Sequence, residues 1–163
     1  MQPKGSPKKR KAEAPERVSL GYGIDMTATA EAVYLDLFRK AKEAEKGGDY
    51  ANTHITTFNM IQDAVKRIIP NDPMNKKYAL RGELSNIFRL RKGRLRICWI
   101  ASSRMRRVCI MFISETLRKE GDVNDPYLIL QTMIDSGTFD SIFQQFGVRM
   151  NRLSPQGRTN KPH

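Results

Sequence analysis

Four arginines that alternate with apolar residues are the side chains in this sequence best suited to chemistry on a phosphate. The segments Phe88-Arg89-Leu90-Arg91 and Arg94-Leu95-Arg96-Ile97 flank a short Lys92-Gly93 turn. Because successive side chains of a strand point to opposite faces, this pattern predicts a hairpin with an apolar face and an arginine face. Guanidinium groups about 5 Å apart across two strands repel one another unless an anion joins them. Their planar fork matches phosphate oxygens, so the hairpin predicts a phosphate-binding surface.

The reaction best suited to such a surface is RNA cleavage, in which the 2′-hydroxyl attacks the neighbouring phosphorus. This reaction needs a proton acceptor, cations beside the phosphoryl oxygens, and a proton donor for the leaving 5′-oxygen. His54 falls in a predicted helix and His163 is the last residue, so a catalytic histidine pair is not expected. Arginine is left for charge stabilisation. A tyrosine, a glutamate or the RNA itself must then receive the proton.

The distribution of charge supports a polyanionic partner. The 163 residues carry a formal net charge of +12, and residues 76–118 contain twelve basic and two acidic side chains. Two glutamates are too few to neutralise this stretch, which is also apolar enough to be folded. Concentrated positive charge on a folded surface is typical of proteins that bind nucleic acid, acidic proteins or anionic lipid.

The composition argues against several other classes of protein. No apolar run approaches the about 18 residues that a membrane span needs, and no apolar segment follows the N-terminus. Two cysteines and two distant histidines give no metal-ligand spacing. We therefore expect a reduced, cytoplasmic protein that uses no metal and no other cofactor and does not contact a membrane.

Hydrophobic periodicity predicts the elements that position the arginines. Helical spacing indicates helices over residues 29–46 and 52–69, which form a hairpin of scaffold helices. Alternation indicates strands over 88–91, 94–99 and 108–113, an antiparallel meander. Helical spacing returns from about residue 125, and a short helix follows over 139–146. The order predicts an α+β fold with the helices packed on one face of the sheet.

The predicted domain occupies residues 26–148. Residues 1–25 are expected to form a disordered basic arm, and residues 149–163 a basic tail. The run Pro7-Lys8-Lys9-Arg10-Lys11 has the form of a nuclear localisation signal, but we interpret it as part of an arm that contacts RNA or a partner. Trp99 is interpreted as a core residue, and Cys98 and Cys109 as small strand residues, since the cytosol disfavours disulfides.

Three segments together resemble a known family of proteins. They are Leu80-Arg81-Gly82-Glu83-Leu84, the arginine hairpin itself, and the stretch from Glu115-Thr116-Leu117-Arg118 to Asp125-Pro126-Tyr127. They resemble toxins of the RelE/ParE superfamily from type II toxin–antitoxin modules, with the YhaV family the most similar branch. The resemblance covers about residues 28–147.

That resemblance implies both a fold and a function. The fold would be RelE-like, with a helical hairpin on a small antiparallel sheet and one or more C-terminal helices. The function would be that of an mRNA interferase, an endoribonuclease that typically acts on translating ribosomes and thereby inhibits translation and growth. A cognate antitoxin of the AbrB or PrlF type would hold it inactive, and DNA binding is expected only through the complex with that antitoxin.

The resemblance also implies roles for single residues. Arg96 would stabilise the scissile phosphate, Arg118 would stabilise it or protonate the leaving group, and Tyr127 would orient or deprotonate the 2′-hydroxyl. The expected RNA-binding residues are the basic side chains of the hairpin and of the turn before it, namely Arg81, Arg89, Arg91, Lys92 and Arg94. The basic strand pair of RelE consists of lysines, whereas both are arginine here and cannot act as a base.

Two other functions are consistent with the sequence. One is a non-catalytic module that binds RNA or the ribosome through the same basic face. The other is a ParE-like toxin that targets gyrase instead of RNA.

Overall fold

The computed structural model describes residues 21–115 and 125–150, and within them the chain has the predicted α+β class. Strand β1 (Gly23–Met26) precedes the helices α1 (Ala28–Lys46) and α2 (Thr53–Asp63). The strands β2 (Phe88–Lys92), β3 (Leu95–Ser102) and β4 (Arg107–Ser114) follow, then the helices α3 (Pro126–Asp135) and α4 (Asp140–Phe146).

Polar caps and a proline set the limits of the helical hairpin. The Thr27 side chain accepts a hydrogen bond from the amide of Ala30 at 3.1 Å, and that of Asn52 accepts one from His54 at 2.7 Å. Beyond α2 the helix widens into a π turn over Ala64–Ile68, just before Pro70, which has no amide proton to donate. The two predicted helices are therefore confirmed, with a change of helix type at the end of the second.

The sheet has four strands in the order β1-β4-β3-β2. The predicted meander is confirmed because β2, β3 and β4 pair antiparallel in succession. Strand β1 was not predicted. It pairs parallel with β4, so the sheet is mixed, and its Asp25 forms an ion pair with Arg107. Residues 23–25, assigned from the sequence to the disordered arm, thus belong to the sheet.

Both faces of the sheet are covered, which corrects the prediction that the helices pack on one face. The first core lies between α1, α2 and the sheet and includes Leu37, Ile97 and Trp99. The second core lies between the sheet and the C-terminal helices and includes Ile100 and Leu130. Strands β3 and β4 are buried on both faces, and such strands need a helical layer on each side.

The second core extends past the predicted end of the domain. Val148 and Met150 both pack against it, and Met150 lies two residues past the predicted boundary at residue 148. Residues 1–20 and 151–163, which include the Pro7-Lys11 run, lie outside the described residues. Within the described ranges, no helix is long and apolar enough to cross a membrane.

The two leucines of α1 provide a matched test of the first core. Leu37 is fully buried, whereas Leu35 is 52% exposed. Leu37→Ala is expected to lower the free energy of unfolding by about 2–5 kcal/mol, because it removes buried methyl groups and leaves a cavity. Leu35→Ala is expected to change it by less than about 1 kcal/mol. Denaturant unfolding of both variants measures the difference, and equal losses would contradict this packing.

Candidate functional site

The β2–β3 hairpin places three arginines on one face of the sheet. Arg91 lies directly opposite Arg96 across the two strands, and Arg89 lies opposite Cys98. The two-residue turn between the strands relies on Gly93, whose φ of 55° is strained for residues with a side chain. We call Arg89, Arg91 and Arg96 the arginine cluster. Its position on the face opposite the first core is as the alternation predicts.

Cys98 forms the buried base of the arginine cluster. Burial raises the pKa of its thiol to about 12, while the positive charges of Arg89 and Arg96 act in the opposite direction. The thiol is therefore neutral at physiological pH and is not a nucleophile. Cys109 lies opposite Ile100 instead of Cys98, and both cysteines are free and buried. This agrees with the interpretation of both as strand residues.

Tyr127 approaches the arginine cluster from the start of α3. The Asp125 side chain caps this helix by accepting a hydrogen bond from the Tyr127 amide at 2.9 Å, and Pro126 occupies the first turn. The Tyr127 hydroxyl oxygen accepts a hydrogen bond from Arg89 Nη1 at 3.1 Å. The guanidinium carbon of Arg89 also lies 5.6 Å from the centroid of the Tyr127 ring. A helix on the second face thus brings a phenol onto the arginines.

Arg96 is held against its own turn. Its Nη1 donates to the carbonyl oxygens of Gly93 at 2.6 Å and Leu95 at 3.2 Å. These contacts fix the guanidinium group through one nitrogen. In the described parts of the chain no ion pair involves Arg89, Arg91 or Arg96. The cluster therefore carries three positive charges with no carboxylate bound to them within those residues, a charge arrangement that favours an anionic ligand.

The other predicted RNA-binding residues lie outside this cluster. Lys92 shares its face with Leu90 of the first core and lines a groove on the opposite side of β2. Arg94 is exposed in the β2–β3 turn. Arg81 is exposed in the chain that precedes β2. The amide of its neighbour Leu80 donates to the carbonyl of Ile87, the residue before β2.

Arg118 falls in residues 116–124, outside the described residues. The described residues on either side, Glu115 and Asp125, follow β4 and precede α3. Ser114, the last residue of β4, lies opposite Arg96. The last described strand residue before Arg118 is therefore next to the arginine cluster.

The basic stretch of residues 76–118 does not form one surface. Arg104, Arg106 and Arg107 lie at or next to the β3–β4 turn, at the opposite end of β3 from Gly93. Arg106 places its guanidinium carbon 4.7 Å from the ring centroid of Tyr22, and Arg107 pairs with Asp25. Arg106 and Arg107 therefore make contacts within the fold, next to β1 and at its Asp25. The charge available to a ligand on the arginine face is thus smaller than the sequence sum of this stretch.

Family membership follows from a comparison of the sequence with known families. The family described as a toxin with endonuclease activity, of a toxin–antitoxin system, matches residues 28–150. The chain belongs to the YhaV toxin family. The match includes the whole hairpin, β4 and Tyr127, and so covers the arginine cluster and its phenol.

Among solved structures, this YhaV-family chain has a partial similarity to a toxin–antitoxin complex. It is similar to a chain of the RelBE2 toxin–antitoxin complex from Mycobacterium tuberculosis, with 18% sequence identity and a TM-score of 0.42. The similarity covers 58% of this chain and 90% of the other. Comparison with curated proteins gives no match.

Membership of the YhaV family makes the chain a toxin of a toxin–antitoxin system with endonuclease activity, and so one that has a cognate antitoxin. It favours the nuclease over the non-catalytic module and over the gyrase-targeting toxin. Across residues 21–115 and 125–150, no group of three or more His, Cys, Asp or Glu side chains could hold a metal ion. The polar side chains that the hairpin and α3 bring together are Arg89, Arg91, Arg96 and Tyr127.

Proposed function

We propose that this toxin is an endoribonuclease that cleaves mRNA on the translating ribosome and thereby inhibits translation and growth. The observation that carries the proposal is the meeting of Arg89, Arg91 and Arg96 with the Tyr127 hydroxyl on one face of the sheet. Conversion of an RNA phosphodiester to a cyclic phosphate requires stabilisation of the charge on the phosphoryl oxygens and a partner for the 2′-hydroxyl. The three cations and the phenol on this face are suited to these two roles.

The proposed reaction is an in-line transesterification. The RNA 2′-oxygen forms a bond to phosphorus as the bond from phosphorus to the 5′-oxygen breaks. The 2′-hydroxyl gives its proton to the Tyr127 oxygen as the phenol releases its own proton to solvent, and the leaving 5′-oxygen gains a proton from Arg118 or from solvent. The products are a 2′,3′-cyclic phosphate and a 5′-hydroxyl. Arg96 and Arg91 are placed opposite each other, so that a phosphate between them accepts hydrogen bonds from both. They supply the cationic charge, and we therefore propose that this step needs no metal ion.

Tyr127 is the proposed partner of the 2′-hydroxyl. Its oxygen already accepts one hydrogen bond from Arg89 and has a second lone pair for the 2′-hydroxyl. A guanidinium group does not serve as a general base in proteins, so Arg89 is not the proton acceptor. Its proposed role is to hold the phenol in place through the hydrogen bond and the stacking contact, besides contact with the RNA backbone.

Arg118 is the proposed donor to the leaving 5′-oxygen or a further cation at the phosphate. It follows Glu115 by three residues, and three residues span at most about 11 Å. Because β4 ends opposite Arg96, this reach is sufficient to bring Arg118 to a phosphate bound at the cluster.

The ribosome has a specific part in this proposal. The described site contains cations and one phenol but no histidine pair, so the positioning of the substrate must supply part of the rate. Holding the RNA in an in-line geometry can contribute about 7–11 kcal/mol to lowering a barrier. We infer that an AbrB- or PrlF-type antitoxin inactivates the toxin by covering the arginine cluster.

The direct test is mapping of mRNA ends in a translating extract. Addition of the toxin is expected to create new 5′ ends within mRNA that is being translated, and prior addition of the antitoxin is expected to prevent them. Intact mRNA during inhibited translation would contradict the nuclease, and intact mRNA with lost gyrase activity would favour the ParE-like alternative.

Salt dependence tests the phosphate contacts of the cluster. Each phosphate neutralised in single-stranded RNA contributes about −0.7 to the slope of log affinity against log salt. Arg91→Ala is expected to make that slope about 0.7 less steep, because one contact is lost. The matched control is Arg39→Ala on α1, whose guanidinium pairs with Asp36. Fluorescence anisotropy with uncleavable 2′-O-methyl RNA measures both, and an unchanged slope for Arg91→Ala would contradict the contact.

A further inference from the structure

A cationic groove lies on the other side of the edge strand from the arginine cluster. Its volume is about 670 Å³, within the range of pockets that hold small ligands. It is bounded by Leu90 and Lys92 of β2 and by the chain that follows α2. Its polar lining comprises Arg67, Asn71, Asp72, Asn75, Lys77 and Lys92, and Tyr78 adds an aromatic ring. We call it the Lys92 groove.

Strand alternation links the Lys92 groove to the arginine cluster. Arg91 and Lys92 are consecutive residues of β2, and they point to opposite faces of the sheet. Strand β2 is at the edge of the sheet, and within the described residues its outer side forms one bridge, at its start, between Ala79 and Phe88. A polyanion that leaves Arg91 and passes around this edge therefore meets Lys92 next.

The charges of the groove favour an anion. Arg67 is bound to Asp63 in an ion pair with Nε to oxygen at 2.7 Å, and this pairing is the main cause of the lowered pKa of Asp63. Lys77 and Lys92 form no ion pair with a carboxylate in the described parts of the chain. The single carboxylate of the lining, Asp72, accepts a hydrogen bond from the Asn75 side chain at 2.9 Å. The charge of Lys92 contributes to the lowered pKa of Asp63 without a direct ion pair. Among the described residues no carboxylate binds Lys77 or Lys92 directly, so both can contact an anionic ligand.

The groove also offers the surfaces that a nucleobase needs. The Tyr78 ring packs edge-on against Trp99 at a centroid distance of 5.5 Å, so the first core fixes its orientation. Lys77 Nζ lies 5.1 Å from the same ring centroid. Asn71 adds a side-chain amide, which can donate to and accept from a base edge. Aromatic rings beside cations are the typical means of binding single-stranded nucleic acid.

We propose that the Lys92 groove binds a nucleotide of the single-stranded RNA substrate, at a distance along the strand from the cleaved bond. Lys77 and Lys92 contact its phosphates, and Tyr78 contacts its base. This inference rests on the proposed RNA substrate. RNA is favoured over an acidic protein segment because the basic path continues from Arg91 around the strand edge and ends at the Tyr78 ring and the Asn71 amide.

The experiment compares two lengths of uncleavable 2′-O-methyl RNA binding to the full chain by fluorescence anisotropy. A tetranucleotide is long enough for the arginine cluster, whereas a dodecanucleotide also reaches the groove. The double variant Lys77→Ala/Lys92→Ala is expected to bind the dodecanucleotide about tenfold more weakly, with a salt slope about 1.4 less steep. Its affinity for the tetranucleotide is expected to be unchanged. The matched control is Lys42→Ala/Lys46→Ala, which removes two exposed lysines of α1.

Three outcomes would overturn the groove assignment. The first is a loss of affinity for the dodecanucleotide that is no larger than that of the control, and the second is an equal loss of affinity for both lengths. The third is loss of antitoxin binding with RNA binding intact, which would make the groove a protein-docking site. Because the RNA in this assay cannot be cleaved, the result does not depend on the nuclease. Failure of the nuclease proposal would show separately, as mRNA that stays intact in the translating extract.

Discussion

Arg96→Ala is expected to lower the rate of mRNA cleavage by about 10²–10³-fold, the usual cost of removing one charge-stabilising donor from a transition state. Arg96 lies opposite Arg91 and is fixed by its hydrogen bonds to the turn carbonyls. Its loss leaves Arg91 alone of the two arginines proposed to hold the phosphate. The measurement is the single-turnover rate of cleavage in a translating extract. Growth arrest on induction is expected to be lost in parallel.

A matched control separates this effect from a loss of general charge. Arg104→Ala removes an exposed arginine from the β3–β4 turn, at the far end of β3 from the cluster, and is expected to retain activity. Arg96→Lys retains the charge without the planar fork, and its cleavage rate is expected to lie between those of the wild type and Arg96→Ala. Full toxicity of Arg96→Ala, with normal folding, would contradict the assigned role.

Tyr127→Phe is expected to lower the cleavage rate by about 10²–10⁴-fold, because it removes the oxygen proposed to contact the 2′-hydroxyl. The ring remains, so its packing on Arg89 and on the second core is retained. The same rate assay measures the loss, and thermal unfolding verifies the fold. Tyr50→Phe is the control, since Tyr50 is 72% exposed.

The comparison of Tyr127→Phe with Tyr127→Ala decides what the tyrosine does. If the hydroxyl carries the function, both variants are inactive to a similar extent. If Tyr127→Phe is fully active and only Tyr127→Ala is impaired, the ring serves as a packing or stacking surface, and the proton must be received elsewhere.

The sequence was most informative where one period governs a segment. In β2 and the start of β3 every second residue is apolar, so the faces of Arg89, Arg91 and Arg96 could be assigned before the fold was known. The same rule applied to Lys92 places it with Leu90, on the face of the groove. Alternation therefore separates Lys92 from the arginines, whereas its charge alone groups it with them.

Strand β1 and the second helical layer could not be predicted in the same way. Strand β1 has four residues, so its alternation of Ile24, Asp25 and Met26 is too short to identify a strand, and its place depends on parallel pairing with β4 over 80 residues away in sequence. The second helical layer is needed because β3 and β4 are buried on both faces. Over a short length, the apolar pattern of a strand buried on both faces can resemble that of a strand buried on one face, so the sequence did not distinguish them. The covered second face is also what brings Tyr127 to Arg89.

The charge of the chain illustrates the same limit. A net charge summed over the sequence treats all basic residues of a stretch alike, whereas in the fold these residues lie on different faces and at different ends of the sheet. Arg107 pairs with Asp25 and Arg106 stacks on Tyr22, while the arginine cluster and Lys92 face opposite sides of β2. Only tertiary structure distinguishes a charge that stabilises the fold from one that is available to a ligand.

The most direct test of the central claim is the chemical nature of the RNA ends that the toxin produces. Attack by the 2′-hydroxyl at a phosphate held by the arginine cluster predicts a 2′,3′-cyclic phosphate on one fragment and a 5′-hydroxyl on the other. It also predicts that a single 2′-deoxy substitution at the cleaved nucleotide prevents cleavage. Fragments that carry a 5′-phosphate and a 3′-hydroxyl, or cleavage that persists at the 2′-deoxy nucleotide, would contradict it.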